Sequence, residues 1–223
     1  MDTTIFLQIG TGLKWAGIAL LPLFVLPLFV VALPGVLDGF AKRLSAFIDR
    51  LSGAALGAAM VSGLILLFAQ LAVVVLRYAF GLSFTWLSEI VMYAFAAMFM
   101  LGSAGALRDS AHVRVDILRP RFGETGRDGI ELAGAYLFLF PICMRIITTS
   151  EAGLARSWSL LEGSRESDGL PILFLFKTLL PALAVLLMAQ GLSESLKAAL
   201  RLTGALPPET PEQLNAEAGG HGT

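Results

Sequence analysis

Apolar and polar positions fall along this chain in long blocks, not in the short periods of a soluble domain. Residues 15–37 carry no charge, residues 51–76 carry none, and between Phe84 and Leu107 only Glu89 is charged. At about 1.5 Å per residue, each block is long enough to cross a hydrocarbon core roughly 30 Å thick. Two later blocks, 129–150 and 171–200, are apolar with charges confined towards their ends: Glu131 and Arg145 in the first, Lys177, Glu194 and Lys197 in the second. The pattern predicts an all-α integral membrane bundle of four helices. An extra N-terminal membrane segment precedes them.

The stretches between the blocks set the topology. In residues 38–50, Phe40, Leu44, Phe47 and Ile48 recur at spacings of three and four among Lys42, Arg43 and Arg50. This is the pattern of an amphipathic helix lying on a membrane surface. It serves as a topological anchor, with docking of anionic lipid or a partner as the alternative. Residues 79–84 are too short for anything but a tight antiparallel turn, which puts Arg77 and Trp86 at one membrane face and Glu89 about one turn inside it. A carboxylate at that depth requires a partner. Five arginines lie between Arg108 and Arg127, so this loop is assigned to the cytoplasm, whereas the mixed-charge loop 151–170 suits the opposite side. There Leu154, Trp158 and Leu161 recur at helical spacing and are expected to bury against a partner or the membrane. Residues 203–223, rich in Pro and Gly, read as a disordered cytoplasmic tail.

The N-terminal segment is less regular. Pro22, Pro27 and Pro34 each remove a backbone donor and would kink a helix over 15–37. Its length makes it a spanning helix with the N-terminus outside, a re-entrant or interfacial segment being the alternative. No Lys or Arg precedes Lys14 and the apolar run exceeds a signal-peptide core, so no cleaved signal is expected. Within 51–76, Gly53 and Gly57 form a small-xxx-small step for close helix approach. Gln70 is expected to bond across to another helix.

Composition agrees with membrane integration: 56% hydrophobic residues, 15% charged and a mean hydropathy of +0.77 do not fit a soluble surface. A net charge of −1 argues against a nucleic-acid partner. The lone Cys143 allows no internal disulfide. Only His112, Arg114 and Asp116 invite a catalytic reading, because His with Asp can bind metal or move protons. The one other histidine, His221, is in the tail, and no nucleophile motif accompanies the cluster. No enzyme, metal or cofactor is expected. A structural role for this cluster at the cytoplasmic elbow is the better reading.

Four motifs occur in order: Arg77-Tyr78 ending one helix, Trp86-x-x-Glu89 opening the next, His112-x-Arg114-x-Asp116 after it, and Ser167-x-Gly169-x-Pro171 before the last. In this order they resemble the small membrane subunit of tripartite ATP-independent periplasmic (TRAP) transporters, over about residues 51–201. The family commonly has two acidic residues after the Trp. Here Ser88 takes the first place, so only Glu89 can inherit an acidic role. The resemblance implies an inner-membrane scaffold for a large (M type) membrane subunit that binds solute and sodium, with transient contact to a periplasmic solute-binding protein (P type) and with membrane lipids. A carboxylate-type solute would be imported.

The chain divides accordingly into the N-terminal segment 1–37, the surface helix 38–50, the four-helix membrane domain 51–202 and the tail 203–223. Arg77, Trp86, Glu89, His112, Arg114, Asp116, Arg145 and Lys177 are candidate structural or subunit-interface residues. Glu89, Arg145 and Lys177 are expected to form one ion-pair network joining the last three membrane helices. An autonomous small channel or transporter, or an anchor subunit of another complex, are the alternatives.

Overall fold

The structure, a computed structural model, describes residues 23–109 and 119–207, with side chains described over 23–109 and 126–207. Six helices occur there: α1 (Leu23–Ala32), α2 (Asp38–Phe80), α3 (Thr85–Arg108), α4 (Arg119–Gly134), α5 (Phe140–Ser159) and α6 (Leu173–Leu202). A single π turn, Ala135–Leu139, joins α4 to α5. Four helical stretches are long and apolar enough to cross a membrane: α2, α3, residues Gly126–Ser159, and α6.

The helices begin and end where the sequence chemistry changes. Gly81, at φ 67°, closes α2 with its amide on the Leu76 carbonyl, and four residues later α3 starts. The resulting hairpin is the expected one. The surface stretch 38–50 and the membrane stretch from Leu51 are a single uninterrupted helix of 43 residues. Pro141 accounts for the π turn: its ring would press on the carbonyl four residues back, and the Phe140 amide instead bonds five residues back to Ala135. The helical path from α4 to α5 therefore widens without breaking.

α6 is the hub, touching α2, α3, α4 and α5. Buried positions are mostly small: Ala41, Ser45, Ser52, Ala59, Ala69, Ala94, Ala104, Ala184 and Ala198. Large apolar side chains such as Met60, Leu64, Phe68, Phe95 and Phe99 face outward. This inverts the soluble pattern, because lipid gives helices no hydrophobic drive to associate and small residues let backbones approach. Of the expected pair, Gly53 lies against α3, where a Cβ would stand 2.7 Å from the Arg108 guanidinium, but Gly57 does not, and glycines of α3 complete the close approach. A Cβ on Gly105 would lie 2.9 Å from the Leu56 Cβ and one on Gly102 would lie 3.5 Å from the Ala59 Cβ, whereas Gly57 meets nothing within 4 Å.

The largest buried cluster gathers Val30, Ala41, Ile48, Leu132, Phe140, Leu192, Leu196 and Leu200, from α1, α2, α4, α5 and α6. Ten residues of α1 span about 15 Å, short of a crossing, and a turn follows at 33–37. The rest of the expected N-terminal span lies outside the described residues. Tyr136, in the π turn, donates its hydroxyl to the Phe24 carbonyl, and Phe24 and Tyr136 both meet the Phe140 ring edge-on at 5.1 Å.

Candidate functional site

Polar side chains gather at the two ends of the bundle. At the end holding the α2–α3 turn, residues 160–172 form a strap between α5 and α6. Glu89, one turn into α3, accepts the Ser164 hydroxyl on one oxygen and the Leu170 amide at 2.6 Å on the other. Asp168 accepts the Thr85 amide at 3.3 Å, meeting one of the unpaired donors at the start of α3. Ser164 N–H donates to the Leu170 carbonyl, closing the strap on itself at 2.9 Å. Gly169 is needed here, since a Cβ would collide with Ser164 and stand 2.9 Å from Glu89 Oε1. Two motifs far apart in sequence, Trp86-x-x-Glu89 and Ser167-x-Gly169-x-Pro171, thus form one latch.

Lys177 joins the other side of the strap. Its ammonium lies 2.5 Å from Glu162 Oε2, which also accepts the Ser157 hydroxyl at 2.7 Å. Trp158 stacks edge-on against Phe174 and donates to Thr178 Oγ1 at 3.0 Å. The hydrogen bond from Lys177, then that from Ser157, hold the Glu162 carboxyl below its ordinary value of 4.5. A depressed carboxylate contributes stability that is present above the unfolded value and lost as pH falls through the folded one. Protection of the strap amides, relative to their intrinsic exchange rate at each pH, is therefore expected to fall below about pH 4.5, and Glu162→Gln should remove that pH dependence. Mass-spectrometric exchange of residues 160–170 between pH 3.5 and 6 is the measurement.

At the opposite end, α2 and α6 share a polar core. Gln190, fully buried, accepts the Ser52 hydroxyl at 2.6 Å and donates to Asp49 at 3.1 Å and to Glu194 at 2.9 Å. Lys197 bridges the same two carboxylates at 2.9 Å each, and Ser193 donates to Asp49 at 2.8 Å. Beside this core, Arg201 binds Asp128 at 2.7 Å and Glu131 at 3.1 Å, fastening α4 to α6. Arg108 pairs with Asp109 at 2.6 Å and reaches the Asp49 carbonyl at 3.2 Å, fastening α3 to α2. Gln190, Ser193 and Lys197 thus find partners on α2, whereas Glu194 is held by Gln190 and Lys197 of its own helix and the buried Ser195 hydroxyl makes no hydrogen bond.

The expected single network of Glu89, Arg145 and Lys177 does not form. Glu89 holds the strap, Lys177 pairs with Glu162, and Arg145 projects from the exposed face of α5 with no partner among the described residues. The reason is angular: Phe140, Cys143 and Ser157 define the buried face of α5, and Arg145 falls on the other. Gln70 is likewise exposed, and Gln190 makes the interhelical bonds expected of Gln70. Arg77 and Trp86 are exposed at the hairpin, where Arg77 lines a shallow surface cleft with Leu82, Phe84 and Leu87. His112, Arg114 and Asp116 lie outside the described residues, as do residues 208–223 of the tail. Among the described residues no three His, Cys, Asp or Glu side chains converge as metal ligands.

Several anchoring residues escaped the sequence reading: Asp49, Ser52, Ser193, Glu162 and Ser164. A signal for part of them exists, because Gln190, Ser193, Glu194 and Lys197 fall at i, i+3, i+4 and i+7 and make one polar stripe on α6. Nothing local marks Ser164 or Asp49 as its counterpart.

A family model described as tripartite ATP-independent periplasmic transporters, DctQ component, matches residues 66–201, more than half of the chain. The matched region takes in the hairpin, the strap and the polar stripe. No curated relative and no solved structure matches the chain.

Proposed function

Since the chain belongs to the DctQ component family of tripartite ATP-independent periplasmic transporters, we propose that it is the scaffold subunit of a sodium-driven importer of a carboxylate-type solute. In this reading the large membrane subunit holds the solute and sodium sites, and a periplasmic binding protein delivers the solute. The small subunit widens the static part of the assembly, against which a mobile domain can carry solute. The strap faces the periplasm and the Arg201 end faces the cytoplasm of a bacterial inner membrane, because the five arginines of 108–127 belong on the positive-inside side.

One observation carries the scaffold role. The polar core and the strap spend their charges and amides on each other, fastening helix to helix at both ends of the bundle. A carrier of its own solute would keep polar groups near midplane at broken helices. Here Gln190 lies in an unbroken α6 and is saturated by Ser52, Asp49 and Glu194.

Purification of this chain from native membranes and reconstitution under a sodium gradient tests the proposal. Uptake is expected only when a large multi-spanning subunit and a binding protein are both present with it. Uptake by this chain alone would defeat the scaffold reading in favour of an autonomous transporter.

A further inference from the structure

We propose that the cleft beside Arg77 at the α2–α3 hairpin holds an anionic phospholipid of the leaflet at that end, with the phosphodiester on the Arg77 guanidinium and the first acyl carbons on the apolar walls. This needs only that the chain crosses a bilayer and stands apart from the scaffold role. In the orientation given above, the leaflet is the periplasmic one.

Of the four sequence motifs, two close the latch and one lies outside the described residues, which leaves Arg77-Tyr78 without a role. Arg77 lies in the last turn of α2, directly after the charge-free run 51–76, so it stands where hydrocarbon gives way to headgroups. Tyr78 and Trp86, both exposed beside it, belong to the residue types enriched at a membrane–water boundary. Around the latch, Glu89, Asp168, Glu162 and Lys177 all have partners. Arg77 is exposed and makes no hydrogen bond or ion pair among the described residues.

Beside that cation lies an amphipathic cleft. Val73 and Leu76 of α2, Leu82 and Phe84 of the turn and Leu87 of α3 form its walls. Ser83 and Ser88 also line it. Ser88 donates to the Phe84 carbonyl, whereas Ser83 makes no side-chain hydrogen bond among the described residues. Val73 and Leu76 precede Arg77 on α2, so the apolar walls continue towards the bilayer interior and the cation stands at the outer rim. This is the polarity of a phospholipid standing in its own leaflet.

Charge selects the headgroup. Arg77 is the one charged residue of the lining, and a guanidinium takes a phosphate group through two parallel hydrogen bonds. None of the lining residues is a carboxylate that could receive the ammonium of choline or ethanolamine. Phosphatidylglycerol, whose net charge is that of its phosphate, therefore fits best. An acyl chain follows the walls while the phosphate reaches the rim; a carboxylate of a partner subunit would engage the rim alone.

The test uses the full chain, extracted from membranes in a neutral maltoside detergent with its partner subunits bound. Two photoreactive probes are compared, phosphatidylglycerol and diacylglycerol, each with a diazirine near the glycerol end of one acyl chain. Labelling of residues 73–88 by the first is expected to exceed that by the second at least about fivefold. Arg77→Gln should bring the ratio close to one, whereas Arg77→Lys, which keeps the charge and loses the fork, should hold it above roughly twofold. Equal diacylglycerol labelling of all three proteins shows that the hairpin is still folded. A wild-type ratio near one, or a ratio that Arg77→Gln leaves unchanged, would overturn the proposal. Failure of both probes to label residues 73–88 would also overturn it, by showing that protein covers the cleft.

Discussion

Replacing Arg201 with methionine is expected to be the most damaging single change to the bundle, costing about 3–5 kcal/mol. The guanidinium side chain is 7% exposed and Asp128 11%, so its removal leaves a carboxylate buried without its cation. Truncating one member of a buried pair costs far more than the pair contributes, because the survivor has already lost its water. Two consequences separate this from a general packing defect. Adding Asp128→Leu to Arg201→Met should restore most of the loss, since an apolar pair of similar volume replaces the ionic one. Amide exchange should rise first in α4, whose packing depends on α6 and the π turn. Thermal unfolding of the three proteins in one detergent checks the first point. Equal instability of the single and double variants would show that the fastening lies elsewhere.

The second large effect is expected at Glu89. Glu89→Ala removes both acceptors from the latch and strands the Leu170 amide and the Ser164 hydroxyl. At about 1.5–3 kcal/mol for a hydrogen bond to a charged group, roughly 3 kcal/mol or more of strap stability is lost. The helices need not unfold, because the buried core at the opposite end does not involve Glu89. Rapid exchange of the Leu170 amide and protease nicking within 160–170 are the expected signs, with solute uptake falling in the assembled transporter. Gly169→Ala should reproduce them with Glu89 intact, because the added methyl would occupy the place of Ser164. Unchanged exchange in both variants would mean that Lys177 and Glu162 hold the strap by themselves.

Helix-level architecture was legible in this sequence because charge is excluded from long blocks by the cost of burying it in hydrocarbon, a constraint that acts on every residue of a span. The hairpin was legible too, through a connection too short for any other arrangement. Side-chain partners were not, because pairing depends on the rotation of each helix about its axis, and an apolar helix with large residues nearly all round gives little sign of which face turns inward. Gln70 and Gln190 illustrate this: each is one amide in a long apolar run, yet one is exposed and the other fully buried. What distinguishes Gln190 is the stripe of Ser193, Glu194 and Lys197 on its own face. Glu89 was recognisable as a group needing a partner, but its partner is a backbone amide at Leu170, which has no signature in sequence. Asp49 was read as part of a surface helix because the charges around it are basic and exposed, whereas it points into the core.

The π turn at Ala135–Leu139 has a consequence for how this helix can be aimed. A π turn takes up one residue more than the α-helical ladder on either side, and one residue corresponds to about 100° of rotation. The segments before and after it are consequently out of phase, like two dials on one shaft with a fixed offset between them. The first dial is set by Asp128 and Glu131 on Arg201, the second by Cys143 and Ser157 against the bundle. Losing a single residue from the offset would leave the composition almost unchanged and still turn Arg145 by more than a quarter revolution relative to the anchored half.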